Sequence, residues 1–226
     1  MLKLYSKKKA KQMIETYSDW ITHVSEMYSI PEAYIKAILY KEIIEIDLFD
    51  PVADLAVKTY WARYGLRKRL YQKGLVKRAE LRSRHGILGK KDSSTGYAQI
   101  FAYVAINAAN FGWDRGIATY DSLGIRSDHR LSGGNPDDLC MMWNLLSKDR
   151  KANIALASLN LVSAAEEMNG HVDFDRYSEE EIKRTFTRYN ANVRYITKYG
   201  EEAYRYYLGY SGQSAENNER LKRRPV

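Results

Sequence analysis

The sequence predicts an all-α fold, a helical domain built on a buried central helix and carrying a basic helical insertion. Three observations predict it. Apolar residues recur at helical spacing along most of the chain. No segment shows the Val, Ile and Thr alternation of a half-buried strand. Two Ser-x-x-Glu capping signals, at Ser29 and Ser178, mark helix starts directly. A chain of 226 residues can bury one sizeable core, so residues 1–210 read as a single domain and the polar stretch 211–226 as a disordered tail.

In the first segment Ala10, Met13, Ile14, Tyr17, Trp20, Ile21, Val24, Met27 and Tyr28 form one stripe, which predicts a single amphipathic helix. Ser29-Ile-Pro-Glu32 predicts a second helix from Ile30 to Glu45. The pattern breaks at 47–51. Residues 58–91 then hold twelve Lys and Arg, with Glu80 as the sole acid. Trp61, Tyr64, Leu66, Leu70, Tyr71, Leu75 and Leu81 interleave with those charges. The stretch 52–91 therefore reads as a basic insertion of one or two amphipathic helices, interrupted near Gly65 or Gly74.

Residues 86–95 read as a loop, 97–110 as a small-residue helix, and 112–138 as a long surface excursion. The apolar run from Arg150 to Met168 predicts the central buried helix. Ser178 with Glu181 opens a helix through Tyr189, and another spans 193–208.

Composition narrows the function classes. The formal charge of +8 and pI near 9.3 favour anionic partners, whether nucleic acid, anionic lipid or acidic wall polymer. Cys140 is the only cysteine, so neither an internal disulfide nor a thiolate cluster forms. The four His, at positions 23, 85, 129 and 171, make no i, i+4 pair, so no metal and no cofactor is expected. No run approaches the ~20 apolar residues that span a bilayer, and no signal peptide is visible in the basic first residues.

On the second helix Ile35, Ile38 and Leu39 define an apolar face, and Glu42 shares it near the helix C-terminus. Partial burial and the negative end of the helix dipole would both raise its pKa toward the range of a general acid. A plainer reading fits the spacing equally well: Glu42 and Glu45 form a solvated helix end, with Lys41 paired to Glu45.

Four segments occur in order: Pro31-Glu-Ala-Tyr-Ile-Lys-Ala-Ile-Leu-Tyr-Lys-Glu42, Ser94-Thr-Gly-Tyr-Ala-Gln99-Ile100, Asn153-Ile-Ala-Leu-Ala-Ser-Leu-Asn-Leu161 and Arg188-Tyr189-Asn190-Ala191. They resemble motifs of the lytic transglycosylase and goose-type lysozyme families. These are, in turn, the helix leading into the catalytic Glu, the Gly-Leu-Met-Gln-Ile cleft signature, the Asn-led central helix, and the Tyr-Asn-Ala that supports the acid. The family's Ser after the catalytic Glu is Ile43 here, and the Gly after Tyr-Asn-Ala is Asn192.

The resemblance implies a lysozyme-like fold, with peptidoglycan glycan strands as partner and Glu42 as general acid/base. Ser94, Gly96, Tyr97, Gln99, Tyr189 and Asn190 would bind substrate. The reaction it implies is cleavage of the β-1,4 bond between N-acetylmuramic acid and N-acetylglucosamine. A hydrolase of inverting type needs a second carboxylate. Asp92 and Glu45 are the candidates, and Phe101 stands where goose-type members carry another Asp, which favours the transglycosylase route.

Plainer roles stand beside these. Gln99 would be an exposed helix residue, Tyr189 a core tyrosine, Asn153 a helix N-terminal polar residue without a ligand, and Ser94 a helix cap. The chain, taken as a monomer, would act at the cell wall, with 58–91 gripping anionic wall polymer. The alternative is a catalytically inactive or non-enzymatic basic helical protein that binds wall polymer or nucleic acid.

Overall fold

The computed structural model describes residues 3–78 and 91–212. Within them the chain is all-α, with nine α-helices, one short 3-10 turn and no strand. The calls on the tail beyond Gly212, and on Glu80, Leu81, Arg82, Arg84, His85 and Lys90 of the insertion, lie outside the described residues.

The first predicted helix is two, α1 (Lys7–Glu15) and α2 (Ser18–Tyr28). The Thr16 hydroxyl bonds back to the Gln12 carbonyl at 2.8 Å, and the Tyr17 N–H turns to Ile14 instead of the carbonyl four residues back. The break is tight enough to keep Met13, Ile14, Ile21 and Val24 on one buried face, so the apolar stripe runs through it unbroken.

Ser29 does not cap the next helix. Its left-handed backbone (φ 51°) closes α2, and the Ile30 N–H returns to the Ser25 carbonyl, satisfying the α2 end. Helix α3 (Glu32–Glu45) starts instead on Pro31, whose fixed φ suits that place, and Glu32 takes hydrogen bonds from Thr22 and Lys36. Helix α4 (Asp50–Gln72) passes through Gly65 without interruption and ends before Gly74, whose φ of 73° suits a glycine.

Helix α5 (Ala102–Asp114) begins five residues later than the sequence suggests, because 96–99 form a turn. The segment after it is not a surface excursion. Tyr120, Leu123, Ile125 and Leu131 are buried, and the Tyr120 hydroxyl accepts the Leu131 N–H at 3.1 Å. Helix α6 (Pro136–Lys148) was hidden by the preceding Ser-Gly-Gly-Asn, which reads as loop. Asn135 caps it, and Leu139, Met142, Trp143 and Leu146 supply its buried face.

Helix α7 (Arg150–Asn169) is the central one. Asp149 caps its start through the Lys151 and Ala152 N–H groups, and Gly170 (φ 75°) closes it. It is apolar nearly all round and packs against α2, α3, α5 and α6, and against α8 (Glu179–Asn190). The Ser178–Glu181 capping box of α8 forms as predicted. Helix α9 (Lys198–Tyr210) crosses α8 at Gly200, where a Cβ would lie 2.2 Å from the Thr187 hydroxyl. The buried residues form one apolar cluster, and no helix is long and apolar enough to cross a membrane among the described residues.

Candidate functional site

Residues 37–43 of α3 are all buried, because α7 and α9 both pack on this helix along with α1 and α2. Glu42 is therefore 9 % exposed rather than part of a solvated helix end. Burial pushes its carboxyl up to about 8, with the Glu45 and Asp50 charges adding to the rise. The Tyr199 hydroxyl, from the first turn of α9, donates to Glu42 Oε1 and opposes that rise, as does the Lys41 cation. The result is a carboxyl that keeps its proton at neutral pH, with one oxygen held by a tyrosine.

The Lys41–Glu45 pair also forms, so the plainer reading of the helix end is half realised without Glu42. Lys41 is 2 % exposed and bridges Glu45 to Glu202 of α9, the latter at 2.8 Å, with its ammonium 5.0 Å from the Tyr199 ring centre. Burial disfavours the Lys41 charge, but Glu202 and Glu45 outweigh it and hold the ammonium protonated.

Glu42 opens onto a cavity of about 200 Å³ lined also by Glu45, Asp47, Asp50, Ser94, Gln99, Phe101 and Asn190. Three predicted binding residues, Ser94, Gln99 and Asn190, thus share the acid's pocket. Gly96 and Tyr97 lie in an adjoining cavity of about 180 Å³ with Asp50, Asp54, Thr95, Gln99 and Arg150. Asp50 and Gln99 belong to both, so the two cavities make one groove along the mouth of α3. Tyr97 is clasped between the Tyr17 ring, at 5.7 Å, and the Arg150 guanidinium, at 4.8 Å.

The wall of this groove is the 93–100 loop, and its shape is fixed from below. Asn153, fully buried on α7, accepts the Ala98 N–H at 2.9 Å and donates to the Thr95 carbonyl at 3.0 Å. Gly96 (φ 77°) lets the loop lie on that amide, since a Cβ there would be 2.3 Å from Asn153 Nδ2. Asn153 is therefore neither an idle polar residue nor a ligand group but the clamp under the loop.

Asp54 of α4 accepts the Ser93 and Thr95 hydroxyls at 2.8 and 3.0 Å, and Trp143 donates to Ser93 at 3.1 Å. Gln99 sits at φ 42°, rare for a residue with a side chain, and its amide donates to the Gly96 carbonyl at 2.7 Å while accepting the Ser94 hydroxyl at 3.2 Å. It is not a helix residue. Ser94 caps nothing.

Two assignments change. Tyr189 donates at 2.7 Å to the Ala98 carbonyl, tying α8 to the loop, and lies near enough to Glu42 that burial and that charge both raise its phenol; the tyrosine that donates to the acid is Tyr199. Asp92 cannot serve as a free second carboxylate, because its two oxygens accept the Ala102 and Tyr103 N–H groups at 3.0 Å each and cap α5 from a distance. Glu45 lines the pocket but is engaged by Lys41.

Asp50, read in the sequence as part of a helix break, lines the groove beside Glu42 and accepts the Asp47 N–H at 2.8 Å. No local pattern announced Tyr199, which lies in the first turn of α9. Ile43 is wholly buried, and Asn192 lines a separate cavity with Glu167 and Arg184, so neither departure from the family pattern touches the groove. Among the described residues no group of His, Cys, Asp and Glu is placed to hold a metal ion.

Comparison with known proteins returns no matching family model, no matching curated protein and no matching solved structure.

Proposed function

We propose that this chain is a peptidoglycan lytic transglycosylase with a lysozyme-like helical arrangement, acting at the cell wall on the β-1,4 bond between N-acetylmuramic acid and N-acetylglucosamine. The observation that carries the reading is Glu42, a carboxyl buried at the end of α3, pushed by that burial up to about 8, and opening onto a groove walled by Ser94, Gln99 and Asn190. Its support is that all four motif segments meet there: α3 brings the acid, the 94–99 loop the wall, Asn153 the clamp and Tyr189 the tie.

Glu42 gives its proton to the glycosidic oxygen as the C1–O bond breaks. The carboxylate left behind keeps the Tyr199 hydrogen bond. It then takes the proton of the muramyl 6-hydroxyl as that oxygen bonds to C1, closing a 1,6-anhydro ring and restoring the acid. No water is consumed. Asp92 and Glu45 being engaged elsewhere favours this route over hydrolysis, for which Asp50 is the remaining candidate base.

Mass spectrometry of muropeptides released by the purified protein tests this, with anhydromuramyl ends expected; hydrolysed reducing ends would assign the chain to the muramidases. Under the proposed route Asp50→Asn keeps cleavage within a few-fold, whereas a base would cost about 10²–10⁴-fold on removal. Absence of any release from intact sacculi that the protein nevertheless binds would point to a binding protein.

The acid must be protonated to act, so activity falls as pH rises through the Glu42 pKa, about 8. Tyr199→Phe removes the hydrogen bond that stabilises the carboxylate and moves that alkaline limb to higher pH. Asp50→Asn removes a neighbouring negative charge and moves it lower. Opposite shifts in the two pH–rate profiles are the expected result.

A further inference from the structure

Helix α4 carries an exposed face that the proposed reaction does not use. At 100° per residue Val52, Leu55, Thr59, Ala62 and Leu66 fall in one row, and Val52, Leu55 and Leu66 are each more than half exposed. Val57, Tyr60, Trp61 and Tyr64 lie on the opposite side and are buried, so the row is not a misplaced core face. Lys58 and Arg69 border it on one edge and Arg63 on the other, all exposed. From residue 55 to residue 78 there is no acid. Among the described residues no other helix packs broadly on α4.

We propose that α4 is a membrane-surface helix that seats the protein on a bilayer rich in anionic lipid. An apolar row with cations on both edges is the pattern that lies in a bilayer interface, the apolar row entering the acyl boundary and the cations meeting lipid phosphates. The other occupants fit worse. A second copy would bring like-charged rows of Lys58, Arg63 and Arg69 together with no acid to meet them. A nucleic acid or wall polyanion would satisfy the cations and leave Val52, Leu55 and Leu66 in water. The docked face and the groove share one helix, since α4 begins at Asp50 on the rim of the Glu42 cavity.

The test is flotation of the full chain with vesicles of phosphatidylglycerol and phosphatidylcholine against vesicles of phosphatidylcholine alone. The anionic vesicles should bind at least about tenfold more protein, less at high salt. Leu55→Ser with Leu66→Ser, and separately Lys58→Glu with Arg63→Glu, should each cut that binding about tenfold or more while leaving the thermal melt and the cleavage of soluble glycan fragments unchanged. Equal binding to both vesicle types, or Leu55→Ser with Leu66→Ser binding like the parent, would overturn the proposal. So would a concentration-dependent dimer that the Leu pair abolishes in the absence of lipid. Vesicle binding is read without any turnover, so this result and the one at Glu42 stand or fall separately.

Discussion

Glu42→Gln is expected to reduce glycan cleavage by on the order of 10³-fold while making the protein more stable. The two effects have one cause. The Glu42 carboxyl titrates from an ordinary value of 4.5 in the unfolded chain to about 8 in the folded one. Below pH 4.5 both states hold the proton and the residue contributes nothing to the pH dependence. Between those limits the unfolded chain releases its proton and the native state does not, so native stability drains away as pH rises until about 8.

Glutamine keeps the oxygen that accepts from Tyr199 and has nothing to ionise. It should therefore recover roughly 3 kcal/mol near neutral pH and almost nothing near pH 4. Chemical denaturation of both proteins across that range checks it. A stability difference that does not grow with pH would mean that Glu42 is ionised in the folded state, and the acid role would go with it.

The second large effect is expected at the clamp under the loop. Asn153→Ala leaves the Ala98 N–H and the Thr95 carbonyl without partners in a buried position, together with the space of the lost amide. Unmade buried hydrogen bonds of this kind cost about 1–3 kcal/mol each, so a total of roughly 3–5 kcal/mol is expected. Gly96→Ala attacks the same contact from the other side, forcing a Cβ to 2.3 Å from Asn153 Nδ2 on a backbone at φ 77°, for a cost of about 2–5 kcal/mol. Thermal melts should fall by on the order of 10 °C in either variant. Because both act on one contact, the double variant should lose much less than the sum.

Much of the fold was legible because long apolar periodicity and caps are local signals. Helix α7 and the Ser178–Glu181 start of α8 needed nothing from the rest of the chain. What failed were features whose cause lies elsewhere. The stripe through Thr16 and Tyr17 keeps its phase across a break, so periodicity could not register it. Ser29 has the composition of a start but the backbone of an end. The segment around Tyr120 is polar and glycine-rich in sequence, yet it is pinned inside by Asn110, Leu131 and the helices it crosses.

The site divides the same way. Glu42, Ser94, Gln99 and Asn190 come together as the motif order suggested. Asp92 looked like a free acid because nothing in its neighbours reveals that α5 begins ten residues on and needs a cap. Tyr199 was invisible for a related reason: its partner is chosen by the packing of α9 on α3, not by any spacing.

That partnership has a consequence for when the site exists at all. The hydroxyl that holds Glu42 is supplied from 157 residues downstream, by the last helix of the described chain. A ribosome that has already delivered α3 and α7 has still not delivered this group, nor the Glu202 that neutralises Lys41. The nascent polypeptide therefore carries its acid unheld until α9 has been made, and a chain truncated before α9 would emerge with the groove lacking its anchor.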